Sequence, residues 1–393
     1  MERQSASLAQ EPAATAKPYR VPPWQLDPGA ALLHRDQLAA EQREALTKLA
    51  FQHGEAADSY FATEDEGHCL MTPDLSAGVA VFKHSRFWHI PGGILSSPED
   101  RPEVISWLKS IAEKQRVTVA VYSVGKEDVP LFAERGFEIN KWGEEPVLDL
   151  GSIDWKGSDF SWMRRQTSFC QRHGLIAREV FPDQEAPERR AQIESELWEI
   201  LHADLKGRAY PKPLRMLEGQ FAPHALFHRR LFVAENPAEK RIESFVVCNP
   251  MRGGREWAIE TYRRRPDSVR GAVPFLMRSI VDLFQSEGIE RISLCIVPGR
   301  GCETVSNDRE NWMVRRSMQL WYHRLGPLFN AKGQDYFKQK FRPRFQERFI
   351  CVSPKSSLRS LSSFMWTTGG LMPHPWNLVK AFWRSLRRGH DQH

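Results

Sequence analysis

The residues best suited to chemistry crowd into one stretch, IETYRRRPDSVRGAVPFLMRSIVDLF at 259–284. Glu260 and Tyr262 stand two apart in a strand-like run and so share a face, where they suit substrate positioning or proton handling; a core tyrosine with a paired acid is the alternative. Arg263, Arg264, Arg265 and Arg270 then lead into Gly271 and an apolar run of helical period. A helix start gathers free N–H donors and the positive end of the dipole, glycine lets an anion approach the backbone, and arginines add charge. The stretch reads as an entrance for an anion, with a solvated basic turn ahead of a core helix as the plainer reading. Asp267 is either the cap of that helix or a contact for a substrate amine.

Two other groups could carry chemistry. Lys338, Lys340, Arg342 and Arg344 alternate ahead of the strand RFICV. In an extended chain all four face one way and suit the phosphates of lipid or RNA; in a helix they spread out as a solvated face. Glu144 and Glu145 are expected between two strands, with Asp149 closing the second. Paired acids there suit an amino group, whereas turn acids are otherwise solvated. No H-E-x-x-H, G-x-S-x-G or Walker-type loop occurs, so metal, serine-hydrolase and nucleotide-hydrolysing chemistry have no support in the sequence.

These residues need positioning elements, and the chain is long enough to supply them. Its 393 residues, 41% hydrophobic, can build two packed domains or one large one. Residues 1–34 are polar and proline-rich and read as a disordered leader. The spacing then predicts a helix closing at Gly54, strands in GHCLMT, GVAVFKH and RFWHIPGG, a helix over PEDRPEVISWLKSIAEKQ and the strand VTVAVYSV. A short helix and the strands FEINKWG and EPVLDL follow, ending a first unit at 35–155.

The second unit, 156–353, repeats the order: helices, the strands HRRLFVAENP, RIESFVVCNPM and REWAIETYRR, the helix of the quoted stretch, then RISLCIVP, a further helix and RFICVSP. The predicted class is α+β, with mixed, mostly antiparallel sheets flanked by helices. Residues 354–393 form a basic tail in which Leu378, Val379, Phe382 and Leu386 recur at helical spacing among arginines and tryptophans, suited to anionic lipid or to the protein's own core. The net charge of +6 decides nothing by itself, and six scattered cysteines without a C-x-x-C pair fit a reducing, cytoplasmic setting. No run approaches the roughly 20 apolar residues of a membrane span.

Both units resemble the order of the GNAT acyltransferase fold, in which the helix after a central strand receives the phosphates of an acyl carrier. More specifically, FAERGFEINKWGEEPVLDL, MRRQTSFCQRHGL, GGREWAIETYRRRPDSVRGAVPFL, GIERISLCIVP and YFKQKFRPRFQERFICV resemble the C-terminal catalytic domain of the phosphatidylglycerol lysyltransferase family. The resemblance implies a tandem GNAT-like fold and an acyltransferase that moves an aminoacyl group from aminoacyl-tRNA to phosphatidylglycerol or a related lipid, without a cofactor or metal. Its partners would be aminoacyl-tRNA and anionic phospholipid, met from the cytoplasm at the inner membrane face. An acyl-CoA-dependent acyltransferase and a non-catalytic lipid- or RNA-binding module are the rivals. On this reading Glu260, Tyr262, Asp267, Lys338 and Lys340 are the catalytic set. Arg264, Arg265, Arg270, Gly271, Arg342, Arg344, Glu144 and Glu145 bind substrate. The chain departs from the family pattern at Pro274 and Gln346, where carboxylates are usual.

Overall fold

The computed structural model describes residues 31–206, 208–220, 226 and 228–375. Most of the expected leader and the periodic run at 378–386 lie outside the described residues. The chain opens with β1 (Leu33–His34), α1 (Ala40–His53), β2 (His68–Met71), β3 (Gly78–His84), β4 (Phe87–Ile90), α2 (Arg101–Gln115), β5 (Thr118–Gly125), α3 (Val129–Glu134) and β6 (Glu138–Asp149). It continues through α4 (Ser161–Arg172), β7 (Ile176–Val180), α5 (Pro187–Lys206), β8 (Arg230–Asn236), β9 (Arg241–Met251), β10 (Glu256–Arg264) and α6 (Ala272–Ser286). Last come β11 (Arg291–Ser293), β12 (Val297–Pro298), α7 (Trp312–Arg324), α8 (Gly326–Phe329), α9 (Ala331–Gln339), β13 (Arg344–Ser353) and α10 (Leu358–Thr368).

One pattern occurs twice. Strands β2, β3 and β4 are antiparallel neighbours, α2 crosses over, and β5 returns parallel to β4. Strands β8, β9 and β10 repeat this, with α6 as the crossover and β11 parallel to β10. The fold is thus α+β with a tandem GNAT-like arrangement, the mixed sheet flanked by helices. A single path of strands joins the halves in the order β1-β2-β3-β4-β5-β13-β6-β11-β10-β9-β8-β7. The late strand β13 lies between β5 and β6, and β6 lies against β11. Each half therefore borders a strand distant from it in sequence.

The apolar periodicity explains the layers. On α6, Leu276, Ile280 and Phe284 recur on one face and are fully buried with Phe232, Val246 and Ile292 of the sheet. Each such side chain contributes about 1.5–3 kcal/mol by leaving water. On α2, Val104, Leu108 and Ile111 do the same against Val119 and Val121. Pro274 occupies the third position of α6, whose N-cap is Gly271, so its missing N–H falls in the first turn and the helix runs on unbroken.

Three expectations change. Glu144 and Glu145 do not sit in a turn between two strands, because β6 is continuous through Gly143. The strand expected over RISLCIVP is broken into β11 and β12, with Cys295 at φ 62° between them. Lys338, Lys340, Arg342 and Arg344 do not share one extended face: α9 runs to Gln339, Arg342 turns at φ 55°, and β13 starts only at Arg344.

Candidate active site

The parallel pair β10/β11 lasts only from Glu256↔Arg291 to Ala258↔Ser293, after which the strands part. A cavity of about 810 Å³ opens there, lined from β10 by Glu260, Tyr262 and Arg264, from the start of α6 by Gly271 and Pro274, and from beyond β11 by Cys295. The first half adds Asp58, Ser123, Trp142 and Glu145, and later segments of the chain add Glu218, Trp321, Lys338 and Phe364.

Bulges aim many of these side chains. On β10 the register shifts between Ile259 and Thr261, which leaves Glu260 as the extra residue. On β5, Tyr122 and Ser123 oppose the single residue Ile350 of β13, with Ser123 in the left-handed region at φ 61°. On β6, Trp142 is the extra residue opposite the Arg348/Phe349 step of β13. A bulge re-aims a side chain that strict alternation would send to the other face. All four bulged residues reach the cavity.

The polar groups divide by whether they are matched. Glu145 is buried and accepts from the Arg348 guanidinium at 2.5 Å and from the Ser293 hydroxyl. Asp204 and Glu218 are held by Arg208 and Arg263, at 2.6–3.2 Å. Asp58 accepts from Ser123 Oγ (2.7 Å) and from the Gly92 N–H (3.1 Å), both at Oδ2, and no cation is bonded to it among the described residues. Burial pushes the Asp58 carboxyl up to about 6, against the pull of the Ser123 bond. Glu260 accepts from the Gly219 N–H (2.6 Å) and from the Thr261 hydroxyl, and no cation pairs with it among the described residues.

Lys338, buried near the end of α9, donates to the carbonyls of Cys295 (2.9 Å) and Ile296 (3.3 Å). Burial lowers its pKa below the usual lysine range. An ammonium has three N–H bonds, so a third donor is left for the cavity that Lys338 lines. The Tyr262 ring lies beside Phe337 at 5.8 Å, and burial raises its hydroxyl to about 12, which keeps it protonated at neutral pH.

At the α6 entrance, Arg264 and Arg270 are exposed cavity residues; Arg264 bonds Ser268 Oγ at 3.1 Å, and Arg270 has no side-chain partner among the described residues. Gly271, the N-cap of α6, has φ 89°, and a Cβ there would lie 2.6 Å from Gln166 Oε1. The entrance needs glycine for both its conformation and its space.

Of the expected residues, the structure brings together Glu260, Tyr262, Lys338, Arg264, Arg270, Gly271 and Glu145. The others lie elsewhere. Arg265 is drawn to α5 by Glu196 (3.1 Å) and Glu199 (3.2 Å). Asp267 is exposed, pairs with Arg241 at 2.7 Å and is not the helix cap. Lys340 lies over the Tyr336 ring at 4.1 Å, Arg342 pairs with Asp159 and Arg344 with Asp149, each at 3.0 Å. Glu144 bridges Lys141 and Arg300, each at 2.9 Å, away from the cavity. Sequence reasoning missed Asp58, Ser123, Trp142 and Arg348. The last two fall inside stretches that carry the family resemblance, whereas nothing in AADSYFAT marks Asp58.

Comparison with known proteins fits this arrangement. The family model for the C-terminal part of phosphatidylglycerol lysyltransferase matches residues 47–352. The phosphatidylglycerol lysyltransferase of Bacillus subtilis (strain 168) is 22% identical over 324 residues, which make up 82% of this chain and 36% of that protein. The chain thus spans little more than a third of that relative's length. The structure of L-PGS from Bacillus licheniformis superposes with a TM-score of 0.70 at 18% identity, covering 86% of this chain and 97% of that one. The C-terminal domain of an Agrobacterium fabrum protein assigned as a lysylphosphatidylglycerol synthetase gives 0.69 at 20% identity, covering 86% and 98%. Among the described residues no helix is long and apolar enough to cross a membrane. The match over most of its length places the chain in the phosphatidylglycerol lysyltransferase C-terminal family.

Proposed function

We propose that this protein transfers an aminoacyl group from aminoacyl-tRNA to a hydroxyl of phosphatidylglycerol or a related anionic lipid, working peripherally at a membrane surface. One observation carries this reading: a single cavity joins a basic helix entrance, at Arg264, Arg270 and Gly271, to two carboxylates without cationic partners and a buried lysine. The entrance suits the phosphates of the tRNA acceptor end. The carboxylates Asp58 and Glu260 suit the α-ammonium of the aminoacyl group.

The reaction needs no external energy source, because the aminoacyl ester is already activated. The lipid hydroxyl oxygen attacks the ester carbonyl carbon, its proton passes to a carboxylate, and a tetrahedral oxyanion forms. The carbon–oxygen bond to the ribose then breaks, and the ribose oxygen takes a proton back. Asp58, with its pKa near 6, is largely ionised at neutral pH yet basic enough to hold that proton in transit. The third N–H of Lys338 is suited to the developing oxyanion, and its two carbonyl bonds fix it beforehand. Tyr262, which lines the same cavity and stays protonated, is a further neutral donor.

The test combines purified protein, a mixture of charged tRNAs and phosphatidylglycerol vesicles, followed by lipid extraction and mass spectrometry. A new aminoacyl lipid is expected, its yield falling about 100-fold or more in Lys338→Met. Folded protein that yields no aminoacyl lipid from any charged tRNA sinks the reading. Saturable acyl-CoA binding that tRNA does not affect would favour the acyl-CoA-dependent alternative.

A further inference from the structure

The cavity has a second region that the transfer chemistry does not use. Tyr122, Trp142, Trp321 and Phe364 all line it. Phe364 stacks on Tyr122 with centroids 5.2 Å apart, meets Trp142 edge-on at 5.7 Å and lies 6.5 Å from Trp321. Tyr122 meets Trp142 edge-on at 5.6 Å. Tyr122 precedes Ser123, whose hydroxyl holds Asp58, so this aromatic box adjoins the polar centre. The Tyr122 hydroxyl is already bonded to His89 Nδ1 at 2.9 Å, and the box offers ring surface rather than that hydroxyl.

Phe364 belongs to α10, which begins at Leu358, beyond residue 352 where the family match stops. The helix is fixed over the box by Ser363, whose hydroxyl meets His89 Nε2 at 2.9 Å.

We propose that this box is the side-chain pocket for the aminoacyl group, that Phe364 of α10 determines its specificity, and that it takes an uncharged, apolar amino acid. The inference rests on the aminoacyl-transfer reading and adds the substrate class. The charges of the cavity carry it. Glu145, Asp204 and Glu218 are matched by arginines. Arg264 and Arg270 are exposed at the α6 entrance and are assigned to the carrier's phosphates, so the interior is left with Asp58 and Glu260, with the Lys338 ammonium offsetting one of them. The remaining negative charge matches one α-ammonium. A second ammonium, such as that of a lysyl side chain, would be taken from water into a box whose walls hold no carboxylate, and ring faces replace only part of its hydration. An apolar side chain meets no such penalty.

Titration calorimetry on the full chain tests this with 3′-aminoacylamino-3′-deoxyadenosines carrying phenylalanyl, leucyl or lysyl groups, which mimic the acceptor end without being cleaved. The phenylalanyl or leucyl compound is expected to bind about 10-fold or more tighter than the lysyl one. Phe364→Ala should erase most of that preference, and Phe364→Leu, which keeps α10 filled should the alanine variant melt early, should reduce it for phenylalanyl. Equal or tighter lysyl binding overturns the proposal, as does a preference unchanged in both variants. If none of the three compounds binds, the aminoacyl-carrier reading falls together with it, whereas binding without preference removes the specificity claim alone.

Discussion

Asp58 couples the chemistry of the site to the stability of the fold. Its carboxyl rises from 3.8 to about 6 because the folded state partly removes it from water, so the native protein holds the proton more tightly than the unfolded chain. The stabilisation from that proton is complete below 3.8 and is lost as pH climbs through about 6. Asp58→Asn lacks this loss. Urea denaturation should find the variant gaining about 1 kcal/mol on wild type between pH 5 and pH 8, a modest figure because the carboxyl faces a cavity. Transfer activity should move the other way. In wild type kcat/KM should rise tenfold per pH unit below about 6 and level off above it, as a base with that pKa requires. The asparagine variant should be slow throughout, without that rise.

At the scale of the element, the start of α6 must present positive charge and open backbone without losing the helix. Gly271 meets both demands, at φ 89° and with Gln166 Oε1 where a Cβ would stand. Gly271→Ala is expected to cost about 1–2 kcal/mol in chemical denaturation and to raise KM for the proposed aminoacyl-tRNA donor, since strain and the displaced Gln166 both disturb the entrance. Pro274→Ala, at the third position of the helix, should change stability by less than about 1 kcal/mol because proline is tolerated in a first turn. A loss as large as that of Gly271→Ala would mean that the proline ring holds the cavity wall open.

On the scale of the whole molecule, the two halves are joined at the site by Arg348. From β13 it reaches Glu145 on β6 at 2.5 Å and the Glu55 carbonyl at 2.9 Å, while Glu145 is also bonded by Ser293 of β11. Arg348→Met should cost about 3–5 kcal/mol by stranding the Glu145 carboxylate in the interior. The double variant Arg348→Met with Glu145→Gln should recover a large part of that loss, because the stranded charge is gone. Thermal or urea unfolding of the four proteins of this cycle measures the coupling. Additive losses would mean that the pair contributes nothing through its charges.

The sequence by itself determined the order of elements, the duplicated plan, and the local signals at 260–271, because periodicity, caps and turn residues act over a few neighbours. Glu260, Tyr262, Arg264, Arg270 and Gly271 line one cavity because they share one strand-to-helix passage, which is local in the sequence. Alternation misled at Lys338 to Arg344, where the end of α9 splits the run and only Lys338 turns inward. The meeting of Asp58, Ser123, Glu145, Lys338 and Phe364 was decided by tertiary structure alone. They converge because β13 pairs with strands some two hundred residues earlier, three strands bulge toward one point, and α10 folds back over the first half. Long-range register and bulges arise from the balance of packing across the whole sheet, and no local spacing encodes that balance.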